Sequence, residues 1–180
     1  MWLESPDEEQ AIRDIRVSST PDRIVALLGG TFVETRLTRC LRNSFVQDEE
    51  VLKELFYSSG PLGPFATKIR MAYALGMVTT QSYKDLINIT RVRNAFAHKI
   101  EAQSFARPNV SAWCHNIRIV ETHVHPRSGD KPDIHDHEIS MFIDDKEGML
   151  SDPRERFINA VVLLTKYFSF PFKLGDMATI

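Results

Sequence analysis

Residues 83–100 carry an apolar stripe at helical spacing, and one positive charge lies inside it. Four apolar side chains fall within an arc of about 80° on a helical wheel, as in a helix that packs on a core. They are Leu86, Ile89, Phe96 and Ile100. Arg93 falls within the same arc. Because an unpaired charge inside a protein is very costly, we expect an anionic group to meet its guanidinium.

A helix predicted over residues 20–45 offers such a group. Thr20-Pro21-Asp22 is a helix start signal, and Glu34 lies on the apolar side of the helix that follows. We predict that Arg93 and Glu34 form a structural ion pair that fixes the register of the two helices. Two alternatives stay open, because Arg93 could instead bind a phosphate in a cleft or extend to solvent.

Helix start and stop signals recur along most of the chain, which predicts a mainly α fold. Gly29-Gly30 inside the long helix costs about 1 kcal/mol per glycine relative to alanine, and it indicates a kink or close packing. Gly76 is expected to end one helix and to allow an antiparallel helical hairpin. The predicted helices are one that begins near residue 5 and others over residues 20–45, 48–55, 65–75, 81–100, 109–114 and 153–168.

Residues 116–145 break this helical pattern. Residues 116–125 are β-prone with partial alternation, and residues 139–143 suit a return strand after a turn-rich stretch. We therefore expect a small hairpin-like insertion over 116–145. The whole chain, 1–180, is predicted to form a single helical domain whose core comprises residues 20–107 and 151–170.

Charge and composition exclude several classes of protein. The formal net charge is −2, although residues 61–107 hold 7 Lys/Arg against 2 Asp/Glu. No helix-turn-helix with a basic recognition helix is evident, so sequence-specific DNA binding is not expected. No apolar run is long enough to span a membrane, and the acidic N-terminus does not resemble a secretory signal. Cys40 and Cys114 are expected to be buried, reduced thiols, which favours the cytoplasm.

The end of the Arg93 helix combines three groups that suit RNA cleavage without a metal. Arg93 supplies a fixed cation, Asn94 an amide, and His98 an imidazole that can accept and donate a proton. In such a reaction His98 would move protons while Arg93 stabilised charge on the phosphorane. Arg93 and His98 point to different sides of one helix, so they could meet only if the helix bent or a second subunit contributed.

Two His-x-His pairs suggest a further site. His123 and His125 form one pair, and His135 and His137 form the other. Alternate residues of a strand share a face, so two paired strands could bring four imidazoles around a zinc ion. The alternative is that these histidines are solvated loop residues, in which case the protein needs no cofactor.

Several segments of the chain, quoted as they stand, carry a family resemblance. Arg93-Asn94-Ala95-Phe96-Ala97-His98 resembles the Arg-polar-x-x-x-His motif of the HEPN-like helical superfamily. With its surroundings it resembles the mannitol operon repressor family over roughly residues 24–118. The surrounding segments are Gly60-Pro61-Leu62-Gly63-Pro64-Phe65-Ala66-Thr67-Lys68-Ile69, Ala72 to Val78, Leu86, Ile89, Arg91, Ser104-Phe105 to Pro108, Cys114 and Asn116.

The resemblance implies a HEPN-like antiparallel helical bundle, which in that superfamily commonly forms a homodimer. It also implies a transcriptional regulator, a repressor of a sugar-alcohol operon, that works through protein partners. Many HEPN-like proteins are instead metal-independent endoribonucleases, with RNA as the substrate. Two hypotheses therefore remain for this chain: a regulator that is not an enzyme, or a ribonuclease that uses Arg93, Asn94 and His98.

Overall fold

The computed structural model of the protein describes residues 6–98, 104–127 and 139–169. Within these ranges the chain is mainly helical, which confirms the predicted fold class, and it contains nine helices and two short strands. In chain order they are α1 (Pro6–Arg16), α2 (Asp22–Asn43), α3 (Glu49–Phe56), α4 (Phe65–Ala74), α5 (Thr80–His98), α6 (Pro108–His115), α7 (Ile119–His123), β1 (Val124–Pro126), β2 (Met141–Ile143), α8 (Lys146–Ser151) and α9 (Pro153–Tyr167).

The helix ends have the chemistry that the sequence signals predict. The side chains of Asp48 and Asp152 cap α3 and α9, and each accepts hydrogen bonds from two backbone N–H groups of the first turn. Gly76 follows α4 with φ of +69°, a conformation that side chains disfavour. The Met77 N–H then donates to the Ala72 carbonyl at 2.9 Å, which closes the helix end.

Helix α9 is the centre of the fold. Its residues 156–165 are all buried, as expected of a helix that is covered on every side. It packs against α1, α2, α6, α7 and α8. The ring of Phe157 lies 5.3 Å from that of Phe105, which in turn lies 5.1 Å from Phe96 of α5.

Helix α2 runs unbroken between α9 and α5 because two adjacent glycines allow close approach. A Cβ on Gly29 would lie 2.9 Å from the Phe157 ring of α9, and one on Gly30 would lie 2.8 Å from Cδ of Arg93 on α5. Both distances are shorter than real Cβ contacts. Of the two expectations for this pair of glycines, close packing is therefore the outcome, without a break in the helix.

The segment 116–145 contains the expected pair of strands, but the hairpin arrangement expected for them is wrong. Residues 119–123 form the helix α7, and β1 pairs with β2 in parallel, with Val124 opposite Met141. A buried carboxylate explains the helix, because Asp85 of α5 accepts hydrogen bonds from the backbone N–H groups of Arg118 (3.0 Å) and Ile119 (2.8 Å). These bonds hold the start of α7 and override the β-propensity of the segment.

Two arginines of α9 attach neighbouring segments to it. Arg154 donates to the backbone carbonyls of the α1–α2 connection at 2.8–3.1 Å. Arg156, which is buried, donates to the carbonyls of Cys114 (3.0 Å) and Ile117 (2.8 Å) and lies 2.5 Å from a carboxylate oxygen of Glu121. Charged hydrogen bonds to backbone carbonyls satisfy groups that helix ends would otherwise leave unpaired.

Candidate functional site

The candidate site is centred on Glu34, whose carboxylate lies between two cations. Its Oε1 is 2.8 Å from Nζ of Lys68, and its Oε2 is 3.3 Å from Nη1 of Arg93. The side chains are 18% exposed for Glu34, 8% for Lys68 and 30% for Arg93. The guanidinium of Arg93 thus meets an anion at an interface of three helices, α2, α4 and α5.

Local packing explains why Arg93 stays in this position. The carbon chain of Arg93 crosses α2 at Gly30, where any larger residue would collide with it. Its neighbours on the same stripe, Leu86, Ile89 and Phe96, are fully buried. The half-buried Arg93 therefore lies along the core, with its charged end at Glu34.

Sequence reasoning missed Lys68 as a second partner of Glu34. Lys68 occupies a buried position of α4 next to Phe65, Ile69 and Ala72, which are themselves buried. A cation inside an apolar helical stripe was the signal used for Arg93, and the same signal is present here.

We call Glu34, Lys68 and Arg93 the Glu34 cluster. A groove of about 590 Å³ opens beside it. Its charged side chains are of both signs, and Arg42 forms an ion pair with Glu49 at 2.9 Å. The guanidinium of Arg42 also lies 5.8 Å from the ring centre of Phe56, within the range of a cation–π contact. The lining residues are Glu34, Thr35, Thr38, Arg39, Arg42, Asn43, Gln47, Glu49 and Lys68.

Asn94 and His98 do not join Arg93 within this chain. Both side chains are exposed on α5, which ends at His98, whereas Arg93 is turned toward α2. A ribonuclease site needs the cation and the proton-transfer group around one phosphate. The described chain therefore contains the three residues without bringing them together.

The four histidines considered as zinc ligands do not share one structural element. His123 ends the helix α7, and its Nδ1 lies 3.2 Å from the Ile119 carbonyl oxygen, so the expected strand geometry for this residue is wrong. His125 lies on β1 and packs against the Phe142 ring at 5.7 Å. His135 and His137 lie outside the described residues. Within the described ranges, no cluster of three His, Cys, Asp or Glu side chains is placed to hold a metal.

The two cysteines are buried in separate parts of the fold. Burial raises the pKa of both thiols, Cys40 and Cys114, to about 12. A thiol with such a pKa is protonated at neutral pH and is a poor nucleophile. Neither cysteine therefore suits catalysis.

Comparison with known proteins decides the family. The model of the mannitol repressor family, MtlR, matches residues 26–165, which is most of the helical fold. The chain belongs to the MtlR family. Among curated proteins, no sequence gives a significant match.

One solved structure has a similar fold. The chain resembles the X-ray structure of the MtlR–HPr complex from Escherichia coli with a TM-score of 0.62 at 15% sequence identity. The match covers 92% of this chain and 100% of that one. At this identity the similarity establishes a shared fold.

Among the described helices, none is long and apolar enough to cross a membrane.

Proposed function

We propose that this chain regulates transcription of a mannitol or related sugar-alcohol operon as a repressor. It acts in the cytoplasm through a protein partner and does not read DNA bases itself. Membership of the mannitol repressor family supports the assignment to a sugar-alcohol operon. The sequence contains no basic recognition helix that could enter a DNA groove, which supports regulation without direct reading of bases.

One observation favours this function over RNA cleavage. The guanidinium of Arg93 is engaged by Glu34, while His98 lies exposed at the end of α5. An arginine that has a carboxylate partner and a packed carbon chain contributes to the fold. It is not available to stabilise a phosphorane beside His98.

Helix α3 and its flanks offer the best surface for a protein partner. Three large apolar side chains are exposed there, on Val46, Val51 and Tyr57. The same segment carries exposed acidic residues, including Glu50 and Glu54. Apolar anchors within a charged rim are typical of protein interfaces, and the acidic rim favours a partner with a basic face.

HPr is the first partner to test, because the solved structure of the E. coli relative is a complex with HPr. HPr from the same organism as this chain should be titrated into the purified protein by isothermal calorimetry. We expect saturable binding. If Val51 lies in the contact, Val51→Glu should weaken binding about tenfold, since a buried charge at an interface is costly.

Val17→Glu is the matched control for Val51→Glu. Val17 is 47% exposed against 49% for Val51, and it lies outside the α3 segment. Binding should be unchanged in Val17→Glu. Equal loss in both variants, or no loss in either, would rule out the α3 surface as the contact.

The operon and DNA parts of the proposal need two further measurements. Deleting the gene should raise expression of a reporter fused to the sugar-alcohol operon promoter. The purified protein alone should not shift promoter DNA in the presence of excess competitor DNA. A specific shift by the protein alone would show direct DNA recognition and contradict the proposal.

The ribonuclease hypothesis is tested by incubating the protein with mixed RNA in EDTA. We expect no cleavage by the native protein at any concentration. Arg93→Ala and His98→Ala serve as controls for contaminating nucleases. Cleavage that disappears in both variants would replace the regulatory function with a catalytic one.

A further inference from the structure

A second groove lies on the other side of α5, and we propose that it binds a small phosphomonoester that also carries hydroxyl groups. The groove has a volume of about 590 Å³, within the range of small-molecule sites. We call it the basic groove. It is lined by Arg70, Gln81, Tyr83, Lys84, Ile87, Asn88, Arg91, Asn116 and Arg118.

Four cations and no carboxylate line the basic groove. Arg70 comes from α4, Lys84 and Arg91 from α5, and Arg118 from the turn before α7. Among the described residues no acidic side chain pairs with the first three, while Arg118 forms an ion pair with Glu121 at 2.6 Å. Converging positive charges in a concave site raise the local concentration of anions, and arginines can hold a phosphate through two parallel hydrogen bonds.

A fully buried carboxylate fixes one wall of the groove. Asp85 accepts hydrogen bonds from the backbone of Arg118 and Ile119, and its Oδ1 also accepts one from Nε2 of Gln81 at 2.9 Å. Asn88 lies across the floor and donates to the Asn116 carbonyl at 3.4 Å. The wall and the floor are thus attached to α5, so a ligand would meet a preformed surface.

The neutral lining residues indicate what accompanies the phosphate. Gln81, Asn88 and Asn116 offer amide groups, which both donate and accept hydrogen bonds, and Tyr83 adds a phenol ring. Hydroxyl groups are the natural partners of amides in such a site. A nucleic acid fits less well, because the chain has a formal net charge of −2 and a pI of about 6.3.

The probe is D-mannitol 1-phosphate. The choice of this compound rests on the proposed function, whereas the groove itself is inferred from its lining residues. It should be titrated into the isolated full chain, without any protein partner, by calorimetry and by NMR. We expect saturable one-to-one binding and no binding of unphosphorylated D-mannitol. Reversing two lining charges in Lys84→Glu/Arg91→Glu should weaken binding at least about tenfold, because each removes a charged contact.

Arg13→Glu/Arg127→Glu is the charge-matched control, since the two side chains are 60% and 66% exposed and neither lines the groove. It should bind the probe as the native protein does. Three results would overturn the proposal: no saturable binding of the probe, equal binding by the double variant, or displacement of the probe by a short single-stranded RNA at lower concentration. A failure of the proposed function would appear separately, in the HPr titration and the reporter.

Discussion

The Glu34 cluster and the basic groove are both built by α4 and α5, yet they treat their cations in opposite ways. In the cluster, Lys68 and Arg93 share one carboxylate and are largely withdrawn from water. In the groove, Arg70, Lys84 and Arg91 are exposed and no acidic side chain lines the wall. The difference separates positive charges that hold helices together from positive charges that remain available to a ligand.

Removing the carboxylate that Lys68 and Arg93 share should destabilise the protein most. Glu34→Ala leaves two cations at a helix interface without a counter-charge, so we expect a loss of about 3 kcal/mol in the free energy of unfolding. Urea denaturation measures it. Glu50→Ala, at an exposed position of α3, should change stability by less than about 0.5 kcal/mol. A similar small effect in Glu34→Ala would mean that the cluster is solvated and not structural.

Filling the space at Gly30 that the Arg93 side chain occupies tests how closely α2 and α5 pack at the Glu34 cluster. In Gly30→Ala the new Cβ would lie 2.8–2.9 Å from Cβ, Cγ and Cδ of Arg93, so α2 and α5 must separate. We expect a loss of about 2 kcal/mol, which is typical of overpacking. Thermal unfolding measures it, and adding Arg93→Ala should recover part of the loss because the collision is removed. An unchanged or higher melting temperature for Gly30→Ala alone would contradict the close approach.

Two arginines separated by a single residue belong to different regions, Arg93 to the Glu34 cluster and Arg91 to the basic groove. Arg93→Ala removes an ion pair and a packed carbon chain, so it should cost about 1–2 kcal/mol. Arg91→Ala removes an exposed side chain of the basic groove and should cost less than about 0.5 kcal/mol. Both variants should be compared by urea denaturation under identical conditions. Equal losses would erase the distinction between the two regions.

The smallest effect is expected at Glu121, which pairs with Arg118 of the groove and with the buried Arg156. Burial alone would raise the pKa of Glu121, but hydrogen bonds from Arg156 and Arg118 outweigh it and hold the pKa below its ordinary value of 4.5. The carboxylate therefore stabilises the fold above about pH 4.5, and this contribution disappears as the pH falls through the lowered pKa.

Glu121→Gln provides the test of this pH dependence. The variant should be less stable than the native protein near neutral pH, and the gap should shrink as the pH falls below about 4.5. Urea denaturation at a series of pH values follows the gap. A gap that stays constant down to about pH 3 would show that Glu121 does not titrate with these partners.

The sequence predicts helices best where their ends have local signals. The carboxylates of Asp48 and Asp152 cap helices that were expected to start there, and Gly76 ends the helix predicted up to residue 75. These signals act within one turn of the chain, so neighbouring residues are sufficient to recognise them. A charge on an apolar stripe also predicts a counter-charge, and the carboxylate of Glu34 lies 3.3 Å from Nη1 of Arg93 in the structure.

The sequence does not predict features that depend on distant residues. Ile119 and Val120 favour a strand, but Asp85 binds the backbone at 118–119 and α7 forms instead. The parallel direction of the β1–β2 pair is not encoded in two strands of three residues each, whose sequences suit either direction. The basic groove combines residues of α4, α5 and the turn before α7, so no single periodic pattern reveals it.

The central position of α9 also affects how the protein is made. The helix supplies ten consecutive buried residues, 156–165, and the surfaces of five other helices close around it. A nascent chain that has emerged only as far as α8 still exposes the apolar faces that this helix covers. Completion of the core must therefore wait until residue 167 leaves the ribosome, and until then the exposed apolar faces favour aggregation.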